Sequence, residues 1–360
     1  MTDTEKPAMN AEDAARSRAV LERLLRIYSP SYHERVAVDY MVRGMAELGL
    51  QAFRDEAGNA IGVVGEGPRE IVLLGHIDTA PGVVQVRREG QLLYGRGAVD
   101  AKGPLCAFAS AAARVGRRPG WRIVVVGAVE EECPTSKGAN FIKDHHKPHY
   151  AIVGEPSGWN RLTLGYKGSL WTDYTLRQPM AHSAAQQKSA AENAIDFWLG
   201  LKQFVERFNE DKTRGFDRLD PTLRSVHTED DGLEEIARLT IGLRLPMGVE
   251  VEDLERDITE LASGAELSFS TETPAFRTDK NNALVRSFLV SIRDQGGSPG
   301  FTVKTGTSDM NIVGPCWAVP IVAYGPGDSA LDHTPDEHID LDEYEKSIEV
   351  LCGVLKSVTA

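Results

Sequence analysis

The sequence predicts an α/β fold: a mostly parallel sheet with helices on both faces, interrupted by a smaller α+β unit of βαββαβ order. Short apolar runs rich in β-branched residues recur between turn residues, and helix-period stretches separate them. Between residues 166 and 277 the texture changes to alternating, half-exposed strands. A chain of 360 residues is also longer than one core usually serves, so two units are expected.

In chain order, residues 12–49 read as helix broken at the turn-like Ser29-Pro30-Ser31. Val36, Val38, Met41, Val42, Met45 and Leu48 fall at helical spacing in its second part. The runs 60–64, 71–74, 123–126 and 151–153 are too short for helices and read as buried strands. The small-residue stretch 104–115 between them reads as helix. From Gly165, residues 170–176 alternate as a strand and 190–208 form an amphipathic helix. A strand over 239–245, a helix over 251–261 and a strand over 266–271 follow. The first pattern then returns, with a helix over 281–295, strands near 301–304 and 319–324, and a closing helix from Leu341. The expected division is a larger unit of residues 1–165 plus 278–360, interrupted by an inserted unit of 166–277.

Hydrophobic content of 41% and charged content of 26% are those of an ordinary soluble protein. With 53 acidic against 40 basic residues, a net charge of −13 argues against non-specific nucleic-acid binding and a basic membrane-surface role. Residues 1–14 are polar, without the apolar core of a signal peptide, and no stretch approaches the ~18 apolar residues of a membrane span. Cys106, Cys133, Cys316 and Cys352 lie far apart with no CxxC pair, which fits a reducing, cytoplasmic setting rather than a disulfide scaffold.

Polar clusters fall at the ends of the predicted strands, where open α/β sheets bind ligands. His76 and Asp78 follow the run 71–74 two residues apart, so they point to one side of an extended segment, and Asp78 can hold the second ring nitrogen of His76. Alone, a His and an Asp in a surface loop would explain the pair. Asp100 lies in the Gly-rich stretch Gly95-Arg96-Gly97-Ala98-Val99-Asp100-Ala101-Lys102-Gly103, either as a ligand or as the cap of the following helix. Glu130-Glu131-Glu132 follow the run 123–126, and three adjacent carboxylates there repel one another unless cations or donors compensate. Glu155 ends the run 151–153, and His333 opens His333-Thr334-Pro335-Asp336-Glu337. Carboxylates mixed with imidazole suit Zn²⁺, Co²⁺ or Mn²⁺. Two such ions bridged by one carboxylate can activate water and polarise a carbonyl, provided a further carboxylate is left to take the proton.

These residues resemble the zinc aminoacylase/carboxypeptidase family, the group of acetylornithine deacetylase and succinyl-diaminopimelate desuccinylase. The ordered signatures are His76-Ile77-Asp78, Gly95 to Gly103, an acidic pair before Gly138-Ala139, Gly154-Glu155-Pro156 and His333 to Glu337, and they span essentially the whole chain. The resemblance implies two divalent metal ions per subunit, Zn²⁺ first and Co²⁺ second. Asp100 would bridge them, His76 and Glu155 would hold one, and Glu131 and His333 the other. Glu130 would be the general base and Asp78 would orient His76. The family has two acids where this chain has three; registering on the preceding strand favours Glu130 and Glu131, counting back from Gly138 favours Glu131 and Glu132. The inserted unit would be a lid and dimerisation domain of a homodimer, with His182 stabilising the oxyanion in the partner subunit. Asn193, Arg244, Arg277 and the turn Gly306-Thr307-Ser308 are candidates for substrate binding.

Within the family, Gly127 to Glu132, Gly165-Tyr166-Lys167-Gly168 and Lys304 to Asn311 are most similar to hydrolases that release lysine, or ornithine, from the C-terminal glutamate of a small acidic amino-group carrier protein of the LysW kind. The alternatives are an N-acyl-amino-acid deacylase or small peptidase with the same metals, and a catalytically dead amino-acid- or carrier-binding protein. Against the last stands the fact that no expected ligand position is replaced.

Overall fold

Strands that are apolar on both faces need cover on both, and the computed structural model of the chain provides it. The structure describes residues 9–182, 184 and 186–360; the first eight residues of the polar N-terminal stretch and Ser183 lie outside them. The chain divides into two compact units. One comprises the residues up to Gly165 together with Thr278–Val303 and Ser308–Ala360; the other comprises Tyr166–Arg277 and Lys304–Thr307.

The first unit is α/β with a mixed sheet, in the order Gln51–Arg54, Ala60–Val64, Trp121–Ala128, Arg69–His76, Tyr150–Gly154, Ile321–Ala323 and Arg161–Tyr166. The four central strands, Trp121–Ala128 to Ile321–Ala323, are mutually parallel, while each flanking strand pairs antiparallel with its inner neighbour. Ile71, Leu73, Ile123, Val125 and Ile152 share one core with the helices Lys102–Val115 and Leu341–Val358. Their alternates Val72, Leu74, Val124 and Val126 point to the opposite face and are fully buried as well. The helices Lys137–His145 and Asp309–Trp317 contact the same sheet and each other.

Parallel register brings the C-terminal strand ends level. His76 pairs with Ala128 and Gly75 with Gly154, so His76, the Glu130–Glu132 loop and Glu155 emerge at one edge. The strands approach closely there: a Cβ on Gly154 would lie 2.9 Å from Phe108 and 3.0 Å from the Gly75 Cα, so only glycine fits. The N-terminal helical stretch is two helices, Ala11–Leu25 and Arg35–Glu47, and the loop containing Ser29-Pro30-Ser31 joins them.

The second unit has the βαββαβ order, with its antiparallel strands arranged Asp220–Asp230, Glu234–Leu245, Gly168–Pro179, Glu266–Thr273. Helices Ala190–Phe208 and Val251–Leu261 cover one face, burying Leu170, Tyr174, Phe197, Leu201, Leu239, Ile241 and Ile258. Asp220–Asp230 escaped the sequence reading because it is an edge strand with mostly exposed, polar residues and no apolar run. No helix is long and apolar enough to cross a membrane among the described residues, and all four cysteines are free.

Phe108 is fully buried where the helix Lys102–Val115 meets the central strands. Phe108→Ala is expected to cost about 3–5 kcal/mol of stability, measured by urea denaturation of the metal-loaded protein.

Candidate metal centre

His76 is the last residue of a central strand, and its side chain is buried to 1% exposure. Its Nδ1 lies 3.0 Å from the Asp78 carbonyl oxygen and 3.5 Å from Asp78 Oδ1, which leaves Nε2 facing Asp100 Oδ1 at 3.1 Å and Glu131 Oε2 at 3.9 Å. The partners thus assign the Nδ1 proton to the Asp78 side. Asp78 is fully buried, and its carboxylate also accepts from the Ser31 hydroxyl and from the backbone N–H groups of Glu131 and Glu132.

Asp100 does not cap the helix that follows it; Ala101 occupies the N-cap position. Its two oxygens face two different imidazoles, Oδ1 meeting His76 and Oδ2 meeting His333 Nε2, each at 3.1 Å. Glu337 holds the loop. Fully buried and paired with Arg96 at 2.7 Å, it accepts the N–H groups of Gly97, Val99 and Asp100 at 2.9, 3.0 and 3.2 Å. Lys102, also buried, donates to the Ile27 and Leu24 carbonyls, and burial lowers its pKa to about 8.

Of the three consecutive acids, Glu132 Oε1 lies 2.9 Å from His333 Nε2. Single ligand atoms of His76, Asp100 and Glu132 all fall within 4.8 Å of one another. Glu131 stands on the His76 side at 3.9 Å. Glu130 is held elsewhere: its Oε2 accepts from the Thr135 hydroxyl at 2.6 Å and its Oε1 is 3.7 Å from Lys137 Nζ. Glu155 is buried beyond its strand end, close enough for its charge to act on Glu131. Within the second unit, His182 is exposed and accepts from the Ala184 N–H, Asn193 donates to Gln178, and Arg244 donates to the Thr307 hydroxyl at 3.3 Å. Gly306 is partly exposed and Arg277 exposed. The Ser308 hydroxyl is buried and accepts from the Met310 N–H as the cap of the helix Asp309–Trp317.

The electrostatics record a shortage of positive charge. Burial pushes Glu131 well above the carboxylate range, and Glu155, Asp309 and Glu132 add to this against the pull of His76. Burial also raises Glu132, and it takes Asp309, whose Oδ1 has no hydrogen-bond partner, up to about 7. Burial disfavours the His76 imidazolium, yet Glu131, Asp100 and Asp78 outweigh it and hold its pKa well above the ordinary value. Hydrogen bonds to Asp100 and Glu132 take His333 up to about 10. Burial opposes the charge on Asp100, but the two imidazoles keep its carboxyl well below the usual range. Among the described residues, Asp100 and Glu132 pair with histidines and with no Lys or Arg. Oxygen donors and imidazole nitrogens converging without a resident basic side chain fit divalent cations such as Zn²⁺ or Co²⁺.

Glu337 carried no role of its own in the sequence reading, and Asp309 only that of a member of the candidate substrate-binding turn. Glu337 sits inside the late motif, but nothing local says that its carboxylate reaches back to the Gly97–Asp100 backbone. Asp309 looks like an ordinary first-turn helix acid until its burial is known.

Protons and cations compete for these atoms. The raised pKa values of His76 and His333 favour protonated rings in the metal-free protein, so cation binding there should release protons. Calorimetric titration in buffers of different ionisation enthalpy measures this; zero release would contradict the arrangement. A raised imidazole pKa adds stability that is complete below the ordinary 6.5 and lost as pH rises through about 10, so the contribution of His333 to the metal-free fold fades across that window.

A family model described as peptidase family M20/M25/M40 matches residues 72–357. A Deinococcus radiodurans protein named [LysW]-lysine hydrolase is 44% identical over 95% of this chain and 97% of its own length. A putative [LysW]-lysine/[LysW]-ornithine hydrolase of Thermococcus kodakarensis is 41% identical over 94% and 91%, and the [LysW]-lysine/[LysW]-ornithine hydrolase of Saccharolobus solfataricus is 30% identical over 91% and 92%. In fold, the chain is similar to an M20 family metallo-carboxypeptidase from Sulfolobus solfataricus, with TM-score 0.77, 17% identity and coverage of 98% and 100%. It is likewise similar to a dinuclear metal-binding M20 peptidase from Bacillus subtilis, with TM-score 0.72, 11% identity and the same coverage. With the family model covering most of the chain and relatives above 40% identity end to end, this protein belongs to the M20/M25/M40 peptidase family.

Proposed function

We propose that this chain is a two-metal amidohydrolase that releases lysine, or ornithine, from the C-terminal glutamate of a small LysW-like amino-group carrier protein. The observation that carries the metal chemistry is Asp100, whose two oxygens each meet a different imidazole at 3.1 Å. The carrier-linked substrate rests on relatives of that name at 41–44% identity over nearly their whole length. Asp100 would be shared by two cations, one completed by His76 and Glu155 and the other by Glu132 and His333. When bound, such ions lower the pKa of water and polarise the scissile carbonyl.

The rest falls to side chains. Asp78 fixes the ring of His76 so that Nε2 points inward. We assign the general base to Glu131 and a ligand role to Glu132, one residue on from the pair favoured by strand register. Two contacts support this: His333 meets Glu132, and Glu130 is tied to Thr135 and Lys137. Glu131, forced by burial to hold a proton readily, takes one from water on its carboxylate and delivers it to the departing amine nitrogen.

In the second unit, Arg244 is the best-supported binder of a substrate carboxylate. It is partly buried, lacks a carboxylate partner among the described residues, and has its pKa lowered by burial and then by Arg224. Asn193, Arg277, Gly306 and Thr307 remain candidates beside it. His182 is proposed as the oxyanion donor, and the second unit as the lid and dimerisation domain of a cytoplasmic homodimer.

Glu131→Gln should keep both metals and lose about 10³-fold in kcat, while Glu132→Gln should lose metal and Glu130→Gln should remain active. Metal analysis alongside kinetics checks the register; a dead, metal-replete Glu130→Gln returns the base to Glu130. Purified enzyme should release lysine from the carrier far faster than it cleaves acetylornithine. Activity on acetylornithine alone would end the carrier assignment.

A further inference from the structure

The acidic loop after the strand Trp121–Ala128 has no regular secondary structure, so its backbone donors must find other partners. Four consecutive N–H groups do so through side chains. Val129 donates to Asn59 Oδ1 at 3.1 Å, Glu130 to Glu34 Oε1 at 3.1 Å, Glu131 to Asp78 Oδ1 at 3.1 Å and Glu132 to Asp78 Oδ2 at 3.0 Å. Glu130 is held at φ 62°, a left-handed conformation that a non-glycine residue adopts only under constraint.

The outer anchor of this array comes from the loop between the first two helices. Glu34 occupies the N-cap of the helix Arg35–Glu47, yet its side chain caps nothing there; its Oε1 accepts instead from Glu130 and from Tyr32 N–H at 2.9 Å. Tyr32 too has a left-handed backbone, at φ 71°. The same loop is stitched to the strand end that carries His76. Ser29 Oγ donates to the Ile77 carbonyl at 2.9 Å, Thr79 N–H donates to the Ser29 carbonyl at 3.0 Å, and Ser31 Oγ donates to Asp78 Oδ2 at 2.8 Å. A helix N-cap normally selects Ser, Thr, Asp or Asn, so a buried Glu turned away from its own helix is a local cost with a distant use.

We propose that Glu34 is a positioning residue for the hydrolytic reaction. By accepting the Glu130 N–H it braces the left-handed turn that aims Glu131 and Glu132 into the metal centre, with Ser31 steadying Asp78 from the same loop. The inference rests on the two-metal amidohydrolase assignment and deepens it. What matters is the reach of an acceptor oxygen, not the charge behind it. Gln preserves that reach; Asp keeps the charge and is one methylene too short.

The test compares wild type, Glu34→Gln, Glu34→Asp and Glu34→Ala in kinetics on carrier-linked lysine and in cobalt titrations of the chelator-stripped protein followed by visible absorption. Glu34→Gln should stay within about 3-fold of wild type in kcat with an unchanged cobalt spectrum. Glu34→Asp and Glu34→Ala should lose about 100-fold in kcat with KM within about 3-fold, and their cobalt spectra should change as the Glu132 ligand shifts. The proposal is overturned if Glu34→Asp outperforms Glu34→Gln, or if Glu34→Asp matches wild type in kcat and cobalt spectrum, with or without a fall in melting temperature. Glu34→Ala is the variant most exposed to misfolding, and the Gln–Asp comparison decides without it. A wild type that binds cobalt but leaves the carrier-linked amide intact would sink the functional assignment, and the cobalt spectra would still judge the brace.

Discussion

Carboxylates crowd one edge of the sheet with too little positive charge to balance them. Asp100, Glu131, Glu132, Glu155 and Asp309 act on one another or on two shared imidazoles, and several are pushed from their ordinary protonation to coexist. Like charges at this density destabilise a fold unless protons or cations neutralise them. In the metal-free chain the surrounding carboxylates favour protonation of His76 and His333, whose ring nitrogens are the atoms that cations would take over. Fold and chemistry are therefore coupled: the arrangement most costly to the bare protein is the one that binding relieves.

Other buried acids are spent differently. Asp78, Glu337 and Glu34 face backbone N–H groups, and none belongs to the ligand set proposed above. Hydrogen bonds to a charged group contribute about 1.5–3 kcal/mol each, which suits Asp78 and the arginine-paired Glu337 as loop anchors, while Glu34 acts through the reach of its acceptor oxygen. Asp78 orders the acidic loop, Glu337 the Asp100 loop, and Glu34 the turn at Glu130. The side chains gathered at this centre sit at or just beyond the ends of rigid parallel strands, and the anchors supply the stiffness that secondary structure does not.

The elements legible in the sequence were those whose own residues carry a period. The runs at 60–64, 71–74, 123–126 and 151–153 became strands of the main sheet because burial on both faces leaves a continuous apolar signature. Asp220–Asp230, exposed along most of its length, carries no such signature, and the three-stranded sheet of Arg87–Glu89, Leu92–Tyr94 and His338–Asp340 is too short to show one. The helix Asp309–Trp317 was obscured by the internal Pro315 and a glycine. The outer strands of the main sheet pair antiparallel with their inner neighbours, which side-chain pattern alone does not specify.

By itself the sequence determined the order of the motifs, the kinds of atoms they offer and their delivery at strand ends, because those follow from residue identity and from the short range of strand and helix periodicity. It favoured Glu130 and Glu131 by strand register and kept Glu131 and Glu132 as the alternative, since three identical side chains in a row are chemically indistinguishable. Tertiary structure gives the three acids different partners: Glu130 has a left-handed backbone and accepts from Thr135, and Glu132 meets a histidine 201 residues away. A one-residue choice within a loop is set by long-range hydrogen bonds, and those exist only once the distant partners have been brought together.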